Sequence, residues 1–291
     1  MQVTELSNGI CIKDVQDFYP DHIFECGQAF RWDRNGLGYT GVVGNRVVGL
    51  FFDRGNVILK NTSVEEYELF WKHYFDLDRD YGEIKSTLSR DPVMEKATQF
   101  GWGIRILNQD PWETLISFII SANNNIARIK RIIRNLSQRY GSTLVWNGVE
   151  YFSFPEPDAL AGASEDDLMA CGCGYRARYI KETAGMVYRG EINLKRLKEV
   201  PYQQACAELL TCPGVGPKVA DCILLFSCGK GEAFPVDVWI KRAMQHFYPW
   251  CSGSNREIRR FVDEKFGQLA GVAQQYLYYY ARDCLRLFDK N

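Results

Sequence analysis

Leu210-Thr211-Cys212-Pro213-Gly214-Val215-Gly216-Pro217-Lys218-Val219-Ala220-Asp221-Cys222 is the stretch on which the reading turns. It joins two amphipathic helical patterns, Tyr202 to Leu210 and Lys218 to Cys228, through a turn too short for anything but a tight αα-hairpin. Gly214 and Gly216 supply backbone conformations closed to other residues and leave bare N–H groups at the start of the second helix. Such an end attracts a phosphate, so Gly214, Val215 and Gly216 are candidate phosphate-binding residues. On these three residues alone, an ordinary helix cap and turn fits equally well.

Lys218 sits in the first turn of that second helix, where the positive end of the helix dipole disfavours an ammonium and favours the neutral, nucleophilic amine. A lysine that only grips phosphate or faces solvent is the plainer alternative. The helix should climb roughly 15 Å to Cys228, and Gly229 and Gly231 then reverse the chain. An extended Glu232 to Asp237 returns a similar distance and delivers Asp237 beside Lys218. A carboxylate facing an amine across a pocket suits cleavage of a glycosidic bond, whose transition state is oxocarbenium-like. Asp237 also reads as the N-cap of a helix starting at Val238, and the two roles are compatible.

The rest of the 291-residue chain frames this hairpin. Its length calls for two or three packed units, and 46% hydrophobic with 24% charged residues is ordinary for a folded soluble protein. The boundaries predicted here are an N-terminal antiparallel α+β domain at 1–85 and a helical body at 86–291. The hairpin falls at about 202–228 and the Pro-Val-Asp loop at 235–237. Strands are expected at Gln28 to Trp32, Tyr39 to Val43, Arg46 to Phe52 and Val57 to Lys60, broken by Asn35-Gly36, Gly44-Asn45 and Gly55-Asn56. Ser63 with Glu66 forms a capping box for a helix carrying Val64, Tyr67, Phe70, Trp71 and Tyr74. From there the periodicity is helical, at Trp112 to Ser121, after Asn123 to Asn125, and at 166–170, 177–188, 238–247, 255–266 and 272–288.

A net charge of −1 excludes wholesale basic coating, so nucleic-acid binding must come from local clusters. One exists: Thr114 to Val149 contains no Asp or Glu, yet holds Arg128, Lys130, Arg131, Arg134 and Arg139. A solvated helix face is the simpler explanation of such a run taken alone. No apolar stretch approaches the length that spans a bilayer, and Met1 to Ile10 lacks a signal pattern, so a cytoplasmic protein is expected, nucleoid-associated if bacterial. Ten cysteines, with only Cys171 and Cys173 closely paired, fit reduced thiols, and no spacing reads as a zinc or iron–sulfur site. Only Cys251 and Cys284 follow the Pro235-Val236-Asp237 segment.

The hairpin stretch together with Pro235-Val236-Asp237 resembles the helix-hairpin-helix, Gly/Pro-Asp superfamily of DNA glycosylases, and within it the 8-oxoguanine DNA glycosylase family. The likeness covers nearly the whole chain, through Cys26-Gly27-Gln28-Ala29-Phe30-Arg31-Trp32, Gln109-Asp110-Pro111-Trp112, Ser121-Ala122-Asn123-Asn124-Asn125-Ile126-Ala127-Arg128 and Gly174-Tyr175-Arg176-Ala177-Arg178-Tyr179. It implies a mainly α protein, with a small TBP-like antiparallel sheet domain packed on a helix-hairpin-helix glycosylase body. It also implies a bifunctional enzyme that flips the damaged base out of duplex DNA, attacks the sugar C1′ with Lys218 and nicks the strand by β-elimination through a Schiff base. Asp237 matches the carboxylate partner.

By the same resemblance, Gly27 offers its carbonyl to the N7 hydrogen that 8-oxoguanine has and guanine lacks, and Cys222, Gln274 and Tyr278 match residues of the base pocket. Asn123, Arg128 and Arg176 match residues that hold the orphaned cytosine, and Tyr175 matches a wedge. Tyr278 stands where the common pattern has Phe, and Trp239 where many members place His. The resemblance implies double-stranded DNA carrying 8-oxoguanine opposite cytosine as partner, a monomer, no required cofactor, no metal in the catalytic site and no iron–sulfur cluster. It leaves room for a monovalent or divalent cation at the hairpin–phosphate contact. An alkylpurine glycosylase of the same superfamily would lack the lysine, and an endonuclease III-like enzyme would carry four clustered cysteines. A non-enzymatic hairpin module that only binds DNA would need neither Lys218 nor Asp237.

Overall fold

The computed structural model describes residues 1–251 and 253–288, with side chains described through Asp283; the Cys284 side chain lies outside the described residues. Six strands form one antiparallel sheet: β1 (Gln2–Leu6), β2 (Gly9–Lys13), β3 (Trp32–Asn35), β4 (Gly38–Val43), β5 (Arg46–Asp53) and β6 (Asn56–Lys60), in the order β1-β2-β6-β5-β4-β3. Register sets its buried face. Ile10 pairs with Leu59, Leu59 with Leu50 and Leu50 with Tyr39, so one row of apolar side chains crosses four strands and is withdrawn from water.

That row is covered by the segment that follows β6. The Ser63 hydroxyl accepts from Glu66 N–H, as the capping box requires, and the chain winds through Val64–Glu66, a π-helical turn at Tyr67–Trp71 and Lys72–Tyr74. Tyr67, Trp71, Tyr74 and Phe75 all pack on the sheet, and Trp32 donates its indole N–H to Tyr74 Oη at 2.9 Å.

The segment Gln28 to Trp32 is not the expected strand. Only Trp32 joins the sheet, and Gln28 to Arg31 is bent. The reason is polar: the Gln28 side chain is fully buried and donates to the carbonyls of Ile23 (3.0 Å) and Arg105 (2.8 Å). Its oxygen accepts from Leu107 N–H at 2.9 Å. Arg105 serves the same purpose nearby, donating to the carbonyls of Gln16, Asp17 and Asp76 at 2.9, 3.0 and 2.6 Å. Irregular backbone can be buried only where side chains take over its hydrogen bonds.

The remainder is helical. Asp110 caps Pro111–Ser121 and Asn125 caps Ile126–Tyr140, whose Ile129, Ile132, Ile133 and Leu136 face the core. The body continues through Glu165–Ala170, Arg176–Tyr188, Tyr202–Leu209, Pro217–Ser227, Val238–Phe247, Asn255–Phe266 and Ala270–Phe288. The sequence reading passed over short helices at Pro20–Phe24, Tyr81–Leu88, Pro92–Phe100, Pro157–Gly162 and Arg196–Glu199. It also missed strands β1 and β2 and a hairpin of β7 (Thr143–Trp146) and β8 (Val149–Phe152). Three of these signals were present: Asp80 and Asp91 each cap a helix through a carboxylate, and Asn147-Gly148 turns the hairpin with both residues at positive φ.

Gln28→Leu keeps the volume but removes the partner of two buried backbone groups, the Arg105 carbonyl and the Leu107 N–H, while the Ile23 carbonyl keeps the Cys26 thiol. At about 1 to 3 kcal/mol each, it should lower unfolding free energy by about 2 kcal/mol or more, read from urea denaturation. A loss below about 1 kcal/mol would mean that the Gln28 bonds do not hold this junction.

Candidate active site

The Pro217–Ser227 helix is buried along its length from Val219 to Ser227, so its N-terminal turn is the part that reaches a cleft of about 800 Å3. Lys218 stands on that turn, with its Nζ 5.2 Å from the centre of the Phe118 ring and the Cys222 thiol one turn along the same helix. The chain then reverses at Gly229 and returns, as the sequence reading expected, to Asp237.

Asp237 caps the Val238–Phe247 helix, accepting from Ile240 N–H at 2.8 Å. Burial pushes its carboxyl above the usual carboxylate range, while the Ile240 N–H and the nearby Lys218 charge pull it back. The cap fixes where the carboxylate points.

At the floor of the cleft lies a small cavity of about 50 Å3 that touches Gly27, Lys218, Cys222, Asp237, Gln274 and Tyr278. Every residue expected at the base pocket, and both expected catalytic residues, therefore meet in one place, from segments 251 positions apart at the extremes. Burial pushes the Cys222 thiol up to about 11, which keeps it neutral beside the lysine. Gln274 donates to the Pro235 carbonyl at 3.1 Å and accepts from Gln275 at 2.8 Å, so its amide is held in one orientation.

Gly27 has φ +80, open to glycine, and a Cβ there would lie 3.6 Å from the Tyr278 hydroxyl. The ring that carries that hydroxyl, the group phenylalanine would lack, has the Arg282 guanidinium 5.8 Å from its centre, and Arg282 donates to the Glu25 carbonyl at 2.6 Å. The last helix thus steadies the Gly27 loop directly. Phe118 and Arg282 were not singled out in the sequence. Phe118 reads there as one more core residue, and Arg282 acquires its role only from a contact 257 residues away.

The second group of expected residues gathers at the cleft's rim. Asn123 lines the cleft with φ +49, and Arg176 is buried with its Nε donating to the Ala122 carbonyl at 3.0 Å and its Nη2 to the Asn123 carbonyl at 3.0 Å. Arg176 is thus no loose surface charge. Tyr175 stands 60% exposed beside it, with the guanidinium 4.4 Å from its ring centre. Arg128 is exposed on the first turn of Ile126–Tyr140. The rest of the basic run is partly neutralised, since Lys130 and Arg134 both pair with Asp33 and Arg139 pairs with Asp167.

Gly214, at φ +81, packs against Tyr179, whose ring meets Tyr175 edge-on at 6.2 Å. Val215 is buried and donates to the Cys212 carbonyl at 3.1 Å, and Gly216 caps the lysine helix. Hairpin and rim are therefore one packed unit. Among the described residues, no three His, Cys, Asp or Glu side chains stand together as a metal-ligand set, and no helix is long and apolar enough to cross a membrane.

A hairpin presenting a lysine to a capped aspartate across a cleft, beside a six-stranded sheet, defines a base-excision DNA glycosylase of the helix-hairpin-helix type. Residues 116–268 match the family described as "HhH-GPD superfamily base excision DNA repair protein", and residues 10–115 match "8-oxoguanine DNA glycosylase, N-terminal domain". An N-glycosylase/DNA lyase of Arabidopsis thaliana is 36% identical over 275 residues, covering 88% of this chain and 75% of its own. A probable N-glycosylase/DNA lyase of Methanothermobacter thermautotrophicus is 35% identical over 243 residues, covering 77% and 76%. The crystal structure of Clostridium acetobutylicum 8-oxoguanine glycosylase/lyase, in complex with double-stranded DNA containing cytosine opposite 8-oxoguanine, superposes with TM-score 0.95 at 46% identity over 97% of this chain and 98% of that one. The chain belongs to the 8-oxoguanine DNA glycosylase family, and its activity is that of an N-glycosylase and DNA lyase.

Gly214→Ala forces a left-handed conformation on an L side chain and drives its Cβ to 2.9 Å from the Tyr179 ring. It should lower stability by about 1 to 2 kcal/mol, measured as a shift in chemical denaturation. An unchanged midpoint would show that the hairpin relaxes without strain.

Proposed function

We propose that this enzyme excises 8-oxoguanine from duplex DNA with Lys218 as nucleophile and Asp237 as the carboxylate that supports the sugar as it gains positive charge. The observation that carries the reading is the meeting of Lys218, Asp237 and Gly27 in a single cavity. The neutral amine of Lys218 forms a bond to C1′ as the C1′–N9 bond breaks, and the base leaves with the bonding pair and takes up a proton. Opening of the C1′–O4′ bond gives an iminium. Loss of a C2′ proton then expels the 3′ phosphate, and hydrolysis returns the lysine. The sequence of bonds needs no cofactor, and the hairpin amides of Gly214 and Gly216 hold a phosphate of the same strand, with or without a bridging cation, the Val215 amide being bonded to the Cys212 carbonyl.

Gly27, Lys218, Asp237 and Tyr278 line both the small cavity and the cleft of about 800 Å3, so a base that enters from the cleft reaches all four. The Gly27 carbonyl then accepts the N7 hydrogen of the oxidised base, whereas guanine would bring a lone pair against it and leave both groups unpaired.

Borohydride added during reaction with an 8-oxoguanine duplex should trap wild-type protein on DNA, and Lys218→Gln should not trap. Asp237→Asn should bind the duplex normally and release base more slowly by about 10²-fold. Normal trapping by the Lys218 variant would place the nucleophile elsewhere.

Asn123, Arg128, Tyr175 and Arg176 form the reader of the orphaned cytosine. Arg176 spends Nε and Nη2 on the Ala122 and Asn123 carbonyls, which makes it the brace of the loop and leaves Arg128 as the exposed guanidinium. Cytosine offers acceptors at O2 and N3, and one good bidentate contact is worth about 1 to 3 kcal/mol of discrimination. Arg128→Met should therefore relax the preference for cytosine about 5-fold to 150-fold in single-turnover rates opposite each base, with little change opposite cytosine. Equal wild-type rates opposite all four bases would reduce these residues to a DNA grip.

A further inference from the structure

Lys218 and Asp237 belong to different segments, so their spacing depends on what ties those segments together away from the cleft. Arg259, on the Asn255–Phe266 helix, touches three of the relevant pieces. Its Nη1 donates to Tyr202 Oη at 2.9 Å, on the first hairpin helix. Its Nη2 donates to the Glu232 carbonyl at 3.1 Å, where the return towards Asp237 begins. Tyr202 Oη donates in turn to Asp221, three residues beyond Lys218 on the second hairpin helix, and Asp221 lies 3.8 Å from Arg259 Nη1.

The guanidinium carbon also lies 4.6 Å from the centre of the Tyr202 ring, and Nε lies 2.9 Å from Asp263. Asp221 is 8% exposed, and burial pushes its carboxyl up, so it is bound into the protein rather than free in water. Arg259 is not among the residues lining the cleft.

We propose that Arg259 is a positioning residue that sets the spacing of Lys218 and Asp237, holding the lysine helix through Tyr202 and Asp221 and the aspartate segment through the Glu232 carbonyl. The planar fork is essential to the role, because three N–H directions in one plane reach three partners that a single ammonium cannot span. The inference rests on the reading of Lys218 and Asp237 as the reacting pair.

The test compares wild type, Arg259→Met, Arg259→Lys and Tyr202→Phe at a temperature where circular dichroism shows each folded. Single-turnover release of 8-oxoguanine and duplex Kd are measured separately. Arg259→Met should slow base release about 10-fold to 100-fold, the scale of a misplacement near 1 Å, with Kd within about 3-fold of wild type. Arg259→Lys should not rescue it. Tyr202→Phe, which keeps the ring and removes the bridge to Asp221, should fall between. Folded Arg259→Met or Tyr202→Phe protein that releases base at the wild-type rate, or rate and affinity falling together, overturns the proposal while leaving the assigned chemistry intact. A wild type that releases no base overturns both.

Discussion

A helix enclosed on every side can show water only its ends, and this constraint governs the site. From Val219 to Ser227 the second hairpin helix is surrounded by other elements, with Phe226 stacked on Phe118 and Ala220, Ile223 and Leu224 wholly withdrawn from water. Its N-terminal turn is left facing the cleft, where the dipole's positive end meets Lys218 and Asp237 together. Large apolar burial, at about 25 cal/mol per Å2, anchors a charged group that could not hold itself in place.

The sheet domain contributes to the same site by an opposite route. Its junction with the helical body is made of irregular backbone, stabilised by the buried donors of Gln28 and Arg105 rather than by apolar contact alone. Gly27 adjoins Gln28 in sequence, so the bonds that fix the junction also steady the Gly27 backbone beside the pocket. Arg282 adds a tie from the last helix to Glu25, on the other side of Gly27. The proposed discrimination of one oxidised base from its parent rests on that backbone atom holding still.

Local chemistry was legible wherever a residue's role depends on its neighbours in the chain. Gly214 at positive φ, the Ser63 capping box and Asp237 as a helix cap all belong to this kind, and the structure shows each, whereas Gly216 is extended at φ −98, a conformation open to other residues. The Gln28 to Trp32 segment misled because its conformation is set by the Arg105 carbonyl and the Leu107 N–H, 77 and 79 residues from Gln28. Arg176 was equally opaque: its burial against Ala122 and Asn123 is decided 53 and 54 residues away. The Asn147-Gly148 turn and the Asp80 and Asp91 caps were present in the sequence and went unread.

By itself, then, the sequence determined the turn chemistry, the helical body, the pairing of a first-turn lysine with a returning aspartate, and the family to which the motifs belong. These follow from short-range sterics and hydrogen bonding, which act within a few residues. Tertiary structure alone decided that Gly27, Cys222, Gln274 and Tyr278 share one cavity, that the Arg282 guanidinium stands beside the Tyr278 ring, and that Arg259 binds both hairpin helices to the aspartate segment. Such contacts join residues far apart in the chain, and which of many compatible side chains meet is fixed only when the whole core closes around them.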